Sequence, residues 1–377
     1  MGDKQIKTHY NPVEIKFGSG AMEELPALLP DVEHILLVTT PGFTRRGLTE
    51  RVNHMCANKQ ITVLDDVLPN PDMEYLEEKC SRLKSEGVDI IIALGGGSVL
   101  DTAKVLSYLL AHPISLREHL EEGRKVPSVN ALPVIAIPTT AGTGSEVTPF
   151  ATVWDMRNYK KYSFAATSLF PRFALEDPLL TLTLPEDITV CTGLDALSHA
   201  MESFWNRNSN PVSRAFAAGA IEIVLKFLPS LVNDLENEEY RSAMLEASLM
   251  GGMAISSTRT ALAHSMSYPI TARYKVPHGL ACGFTLSSLW ELNISADPPY
   301  FNEFASRLGF ASADEFKQAL DKLFETLEVK ERVRNYIGSE AELLTLVPQM
   351  FTPGRADNNL SQVSEHLVKE VIKKSLD

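Results

Sequence analysis

The sequence predicts an α/β half followed by an all-helical half. Three observations predict it. Short aliphatic runs alternate with helical periodicity from Val13 to about Pro178; one such run stops at three consecutive glycines; and strand signals nearly vanish after Asp177. The boundary is expected near Pro178 to Pro185, giving one domain over residues 1–180 and a second over 181–377.

The first half opens with a strand at Val13 to Phe17, a Gly18-Ser19-Gly20 turn and a helix pattern from Ala21 to Leu29. His34 to Thr39 reads as a buried strand, Arg46 to Asn58 as a helix, Ile61 to Leu64 as a strand and Met73 to Glu86 as a helix. Asp89 to Leu94 is almost purely aliphatic, as expected for a parallel strand covered on both faces, and Val99 to Leu110 resumes a helical period. Val134 to Pro138 supplies one more central strand. Phe150 to Trp154 and Tyr162 to Phe164 read as a hairpin around the loop Asp155 to Tyr159. The expected sheet is therefore parallel, with helices on both faces.

In the second half the apolar spacing is helical, as in Ala215 to Leu228, Arg241 to Ala254, Phe301 to Leu308 and Ala313 to Leu327. Lys369 to Asp377 reads as a frayed, solvated helix end. No internal repeat or low-complexity tract interrupts this organisation.

Composition narrows the function. With 377 residues and 44% apolar content the chain can bury a full core and favours two domains over one, a size that suits an enzyme. A formal charge of −13 without a long basic run argues against nucleic acid or an anionic membrane surface as partner. The four cysteines, Cys56, Cys80, Cys191 and Cys282, form no Cys-x-x-Cys pair, which disfavours a disulfide framework and a thiolate zinc knuckle and points to a reducing cytoplasm. The polar stretch from Met1 to Pro12, with Asp3, Lys4 and Lys7, carries no secretory signal, and no segment reaches the length of a membrane span.

Two loops carry the signal for a nucleotide. Gly95-Gly96-Gly97-Ser98 follows a buried strand and precedes a helix, so backbone N–H groups and the positive helix end can meet a pyrophosphate without side-chain obstruction. The loop is not a G-x-G-x-x-G motif, and such turns also arise from packing alone. Asp101 and Lys104 on the next turn either orient the loop or touch the cofactor, or are an ordinary first-turn acid and a solvated charge. Thr139-Thr140-Ala141-Gly142-Thr143-Gly144-Ser145-Glu146 again follows a buried strand and offers several hydroxyls, Thr143 among them; the competing reading is a capped connecting turn.

A third set of residues suits a metal. Asp195 and His199 lie four apart, so a helix stacks both on one face, and a carboxylate with an imidazole fits a borderline divalent cation. His264 and His278 are two further imidazoles able to complete a site of three histidines and one aspartate, with no cysteine needed.

Taken in order along the chain, Gly95-Gly96-Gly97-Ser98 with Asp101 and Lys104, the Thr139 to Glu146 loop, Gly193-Leu194-Asp195-Ala196-Leu197-Ser198-His199 and Val276-Pro277-His278-Gly279 resemble the iron-containing, or group III, alcohol dehydrogenase family over nearly the whole length. The resemblance implies a dehydroquinate synthase-like architecture, with an N-terminal dinucleotide-binding domain, a C-terminal helical domain and a cleft between them. It implies Asp195, His199, His264 and His278 as metal ligands. Asn70, Thr139, Thr140 and Lys161 become candidate cofactor contacts by position, beside Gly96, Gly97 and Ser98. Many family members carry a second histidine four residues after the third ligand, where this chain has Tyr268, so the usual proton relay is put in doubt. The run from Thr258 to His264, Ser267-Tyr268-Pro269 and Pro277 to Cys282 most resembles the phosphonoacetaldehyde reductase, or hydroxyethylphosphonate dehydrogenase, branch.

The implied reaction interconverts a small aldehyde and its primary alcohol, with phosphonoacetaldehyde first among the substrates, and sulfoacetaldehyde, succinic semialdehyde or an uncharged alkanal as alternatives. The metal is expected to be Fe²⁺, with Zn²⁺ or Mn²⁺ equally compatible with the donors. Tyr268 is the candidate proton donor, or else packs before Pro269. Arg259 is the candidate partner of an anionic tail, provided a helix starts between it and His264; the bland alternative is a solvated charge. Asn206, eleven residues from Asp195, shares the metal face if that helix continues, or caps near Asn210-Pro211. After the strand ending at Thr39, Thr40-Pro41-Gly42 stands where NAD-specific dehydrogenases place an acid, and Arg45 and Arg46 follow, which leans towards NADPH over NADH with Thr40 as a cofactor contact. A homodimer or larger homo-oligomer is the expected assembly. The rival readings are a lyase of the dehydroquinate synthase type, which recycles its nicotinamide, and a non-catalytic metal-binding scaffold.

Overall fold

The computed structural model describes residues 6–112, 114–122, 130–158 and 160–377; the first five residues of the polar N-terminal stretch and Tyr159 of the hairpin loop lie outside them. The chain divides into two compact units, one of residues 11–140 and 145–182, the other of residues 1–10, 141–144 and 183–377.

The first unit is built on six parallel strands among the described residues: β1 (Glu14–Phe17), β2 (His34–Val38), β3 (Gln60–Leu64), β4 (Ile90–Gly95), β5 (Val134–Pro138) and β8 (Phe173–Glu176). Their order across the sheet is β1-β8-β5-β4-β2-β3. β6 (Phe150–Asp155) and β7 (Lys160–Ala165) form a separate antiparallel hairpin. The aliphatic runs are explained by burial on both sides. Ile35, Leu37, Ile90, Ile92, Ile135 and Ile137 pack on one face with Met22, Leu25 and Val52. Leu36, Val38, Ile91, Ala93, Val134 and Ala136 pack on the other with Val99, Leu100 and Leu106.

Three local readings need correction. The helix expected over Arg46 to Asn58 is shorter, Leu48–Met55, and a separate short helix, Pro41–Arg45, precedes it, because Gly47 between them adopts φ 79° and breaks the helical path. Ala21–Leu28 is a 3-10 helix with Pro26 inside it. β8 joins the sheet between β1 and β5 although its four residues gave no strand signal.

A buried acid pair lies in this unit. Both carboxyl oxygens of Glu176, at the end of β8, are buried without a hydrogen-bond partner, and burial together with the charge of Glu146 raises this acid well above its ordinary value. Burial pushes Glu146 up to about 7 against the opposing pull of Lys104.

The second unit is helical, and one continuous core runs through it from Leu194 and Phe204 to Trp290, Phe316 and Val371. The C-terminal helix, Glu365–Leu376, buries Val368, Val371, Ile372 and Leu376, so its end is packed and not frayed as its charge suggested. Among the described residues, no helix is long and apolar enough to cross a membrane.

Candidate metal and cofactor sites

Within the helical unit, the Glu186–Phe204 helix carries Asp195, His199 and Glu202 on one face, at spacings of four and three residues. The Leu262–Tyr274 helix carries His264 and Tyr268, and the short His278–Gly283 helix begins with His278. All four histidine and aspartate candidates meet. Asp195 Oδ1 lies 3.7 Å from His199 Nε2 and 3.5 Å from His264 Nε2. The rings of His199 and His264 stack at 4.8 Å, and that of His278 stands edge-on to His264 at 5.3 Å.

Each imidazole is oriented from behind. His199 Nδ1–H donates to the carbonyl of Gly142 at 3.1 Å, which turns Nε2 towards Asp195. His264 Nδ1–H donates to Glu202 Oε2 at 2.6 Å, while Glu202 Oε1 accepts the main-chain N–H of His264. This carboxylate-backed imidazole is the arrangement that fixes a metal-binding histidine. Glu202 is fully buried and was missed in the sequence, although it follows Asp195 by two helical turns.

The site fits a cation on its own chemistry. Asp195 Oδ1 and His264 Nε2 are buried with no hydrogen-bond partner, a costly state for two polar atoms unless a cation sits between them. Burial pushes His199 down to about 4, so at neutral pH it offers a lone pair. Burial would raise Asp195, but the imidazoles of His199, His264 and His278 outweigh it and hold the carboxyl well below its ordinary range. For His264 the effect of burial is outweighed by its neighbours Cys282, Glu202 and Asp195, which raise it above the ordinary imidazole value.

Close helix contact makes the cluster possible. A Cβ on Gly279 would lie 1.9 Å from the carbonyl of Cys191 and 2.9 Å from Asp195 Cβ, and one on Gly283 would lie 2.8 Å from Leu194 Cβ. The glycines let the His278 helix lie directly against the Asp195 helix. Cys282, one turn after His278, enters the same cluster: its Sγ, an oxygen of Asp195 and one ring nitrogen each of His264 and His278 all lie within 4.8 Å of one another.

Tyr268 is half-buried, with its ring 6.3 Å from that of His278 and nearly parallel to it. Arg259 ends the Glu238–Thr258 helix with φ 61° and ψ 177°, a conformation that costs a non-glycine residue energy. A helix does start between it and His264, at Leu262. Partial burial, then the like charge of Arg355, lowers its guanidinium from the ordinary arginine value. Asn206 does not share the metal face by continuing the helix, which ends at Phe204. Its Nδ2 donates to the carbonyl of Arg259 at 3.0 Å and its Oδ1 accepts from Asn208 N–H at 2.9 Å, so it holds the Arg259 corner.

In the first unit the candidate cofactor residues gather at the carboxyl ends of the parallel strands, where open α/β sheets bind nucleotides. Thr40 caps the helix after β2, Gly96 precedes the Gly97–Ala111 helix after β4, and Thr139 and Thr140 follow β5. Gly96, Gly97 and Ser98 stay partly exposed, and Asn70, at φ 62°, donates its N–H to Ser98 Oγ. Gly96 lies flat on Thr140, whose Oγ1 would be 3.1 Å from a Cβ there.

Asp101 and Lys104 are tied to the second loop. Asp101 accepts from Ser145 Oγ and Thr152 N–H, both at 2.7 Å, and buried Lys104 Nζ donates to Ser145 Oγ, to the hydroxyl and carbonyl of Thr148 and to the carbonyl of Phe150. Their geometry is that of loop positioning. Lys161, on β7, faces Asp101 electrostatically and lies 5.7 Å from the Trp154 ring. Thr143 belongs to the four-residue segment that clusters with the helical unit.

Comparison with known proteins agrees with this layout. The sequence model of iron-containing alcohol dehydrogenase matches residues 12–178, and that of the Fe-containing alcohol dehydrogenase family C-terminal region matches residues 189–376. Among curated relatives, alcohol dehydrogenase 4 of Schizosaccharomyces pombe is 32% identical over 87% of this chain and 78% of its own length. The NAD-dependent methanol dehydrogenase of Bacillus methanolicus is 32% identical over 78% of this chain and 77% of its own length. Among solved structures, sulfoacetaldehyde reductase from Bifidobacterium kashiwanohense in complex with NAD+ superposes with a TM-score of 0.93 at 30% identity, covering 99% of both chains.

Proposed function

Because this chain belongs to the iron-containing alcohol dehydrogenase family, and so is a nicotinamide- and metal-dependent oxidoreductase acting on alcohols, we propose that it reduces a small aldehyde with an anionic tail to the primary alcohol. Phosphonoacetaldehyde, giving 2-hydroxyethylphosphonate, is the first substrate. Sulfoacetaldehyde is the second, favoured by the 30% identity to a reductase of that compound.

The observation that carries the reading is the buried, unpartnered pair Asp195 Oδ1 and His264 Nε2, backed by Glu202 and flanked by His199 and His278. We assign Asp195, His199, His264 and His278 as the metal ligands, and Thr40, Asn70, Gly96, Gly97, Ser98, Thr139, Thr140, Thr143 and Lys161 as cofactor contacts, with Asp101 positioning the second loop. When bound, the metal polarises the aldehyde oxygen and the reduced nicotinamide supplies the hydride. The protein does the rest. Glu202 and the Gly142 carbonyl hold two imidazoles in register, and Tyr268 delivers its phenolic proton to the alkoxide oxygen. Arg259, fixed by Asn206 at a strained corner and next to Arg355, binds the phosphonate or sulfonate through its planar fork. Arg46 is stacked over Phe43 at 4.4 Å, so exposed Arg45 is the residue we assign to a 2′-phosphate, in keeping with NADPH.

The deciding experiment loads the protein with Fe²⁺ and compares phosphonoacetaldehyde, sulfoacetaldehyde, succinic semialdehyde and butanal, each with NADH and NADPH, by loss of absorbance of the reduced nicotinamide. The reading expects an anionic aldehyde to give the highest kcat/KM and Arg259→Ala to remove that preference. A preference for butanal discards the anionic-tail assignment.

A further inference from the structure

We propose that Arg355 is a second arm of the tail-binding site, and that with Arg259 it forms a two-guanidinium clamp selective for a doubly charged phosphonate. The inference rests on the anionic-tail reading above and narrows it to a dianion, against the singly charged sulfonate or carboxylate.

Four observations carry it. First, one side chain stitches the two arginine corners together. Asn358 Nδ2 donates to the carbonyl of Thr260, next to Arg259, and to that of Gly354, next to Arg355, both at 2.9 Å. Second, the two cations stand side by side without a carboxylate partner among the described residues, in a chain of net charge −13. Arg355 Nη1 donates to the carbonyl of Gly354, and beyond its burial Arg259 feels the like charge of Arg355 with no acid to offset it. Asp357, the acid on this segment, accepts the main-chain N–H of Gly354, and the nearby Arg207 Nε donates to the carbonyl of Asn359. Third, Arg259 sits at φ 61° and ψ 177°, a region that belongs to glycine, so the fold accepts strain to keep a side chain there. Asn206 Nδ2 and Thr258 Oγ1 both donate to its carbonyl and fix the corner. Fourth, the Arg355 segment is docked beside a proposed metal ligand. Ser265, the residue after His264, donates its hydroxyl to the carbonyl of Met350 and accepts the N–H of Thr352, whose own carbonyl accepts the N–H of Arg355.

Charge decides the selectivity. A phosphonate and a sulfonate present the same three oxygens, so shape alone does not separate them. Two unpaired guanidiniums repel until a counter-charge arrives; a dianion neutralises both, whereas a monoanion leaves one unit of charge uncompensated. A planar carboxylate offers two oxygens and one charge, enough for a single fork. Both side chains stay at least partly exposed, so a solute can reach them.

The test uses the full chain loaded with Fe²⁺ and supplied with reduced nicotinamide. It reads the ratio of kcat/KM for phosphonoacetaldehyde to that for sulfoacetaldehyde in wild type, Arg355→Met and Arg355→Lys. The ratio is expected to favour the phosphonate in wild type, to fall about tenfold or more in Arg355→Met and to recover in part in Arg355→Lys. Because both rates come from one protein, a general loss of activity cancels. A second reading needs no variant: the wild-type ratio is expected to rise from about pH 5 to about pH 7.5, as the phosphonate takes its second charge near about 6, like a phosphate monoester, and the sulfonate stays singly charged. A wild-type ratio that favours the sulfonate, one unmoved by Arg355→Met, or one flat with pH overturns the clamp and leaves the single-arginine site standing. Preference for butanal over both anionic aldehydes overturns the anionic-tail reading and the clamp together.

Discussion

The carbonyl oxygen of Cys191 occupies the place where a side chain at position 279 would begin: a Cβ built on Gly279 stands 1.9 Å from it. Two helices are thereby pressed together at the point where His278 must reach Asp195. Gly279→Ala is expected to force them apart, costing about 1–3 kcal/mol or more of stability and most of the metal affinity. Urea unfolding and metal analysis check this, and an alanine variant with full metal content and unchanged midpoint contradicts it.

Glu202→Gln keeps the size of the side chain but removes the charge that backs His264. The expected outcome is a 10–100-fold weaker metal affinity, read by competition with a chromophoric chelator, with little change in the helical circular dichroism. Equal affinity in both proteins would mean that the contact is ordinary packing.

In the first unit, Gly96→Val brings branched carbon against Thr140, 3.1 Å from the Cβ position, and crowds the exposed N–H groups of the loop. The dissociation constant for reduced nicotinamide dinucleotide is expected to rise about tenfold or more, equivalent to about 1.4 kcal/mol, while bound metal is unchanged. Cofactor fluorescence titration measures it. An unaltered constant removes the loop from the binding site.

Glu146 and Glu176 give stability a definite pH dependence. Both acids keep their protons in the fold at pH values where the unfolded chain, with a carboxyl near 4.5, has lost them. Between about 4.5 and 7 the folded state therefore binds more protons, and stability falls as pH rises. Glu176→Gln is expected to flatten that fall and to be more stable than wild type at pH 8. Denaturant midpoints at pH 5 and pH 8 test it, and identical slopes for the two proteins sink it.

Much of the fold was readable because its signals are local. Runs such as Ile90 to Leu94 have to be aliphatic when both faces of a strand are covered, and the glycines after them have to be small. β8 escaped because four residues ending in a glutamate carry no period, and its membership in the sheet is decided by β1 and β5. The C-terminal helix was misjudged from its lysines, which flank Val371, Ile372 and Leu376 on the buried side.

The site shows the same division. Asp195 and His199 were visible through their four-residue spacing, while Glu202 was passed over because a supporting carboxylate has no motif until His264 arrives from another helix.

The segment 141–144, which lies in sequence between β5 and β6, clusters with the helical unit and lends the Gly142 carbonyl to His199. The two halves are thus not separable cassettes. A fragment begun at Thr183 would carry Asp195, His199, His264 and His278 yet lack the acceptor that sets one imidazole's tautomer, so grafting or exchanging the helical half requires bringing that tetrapeptide along.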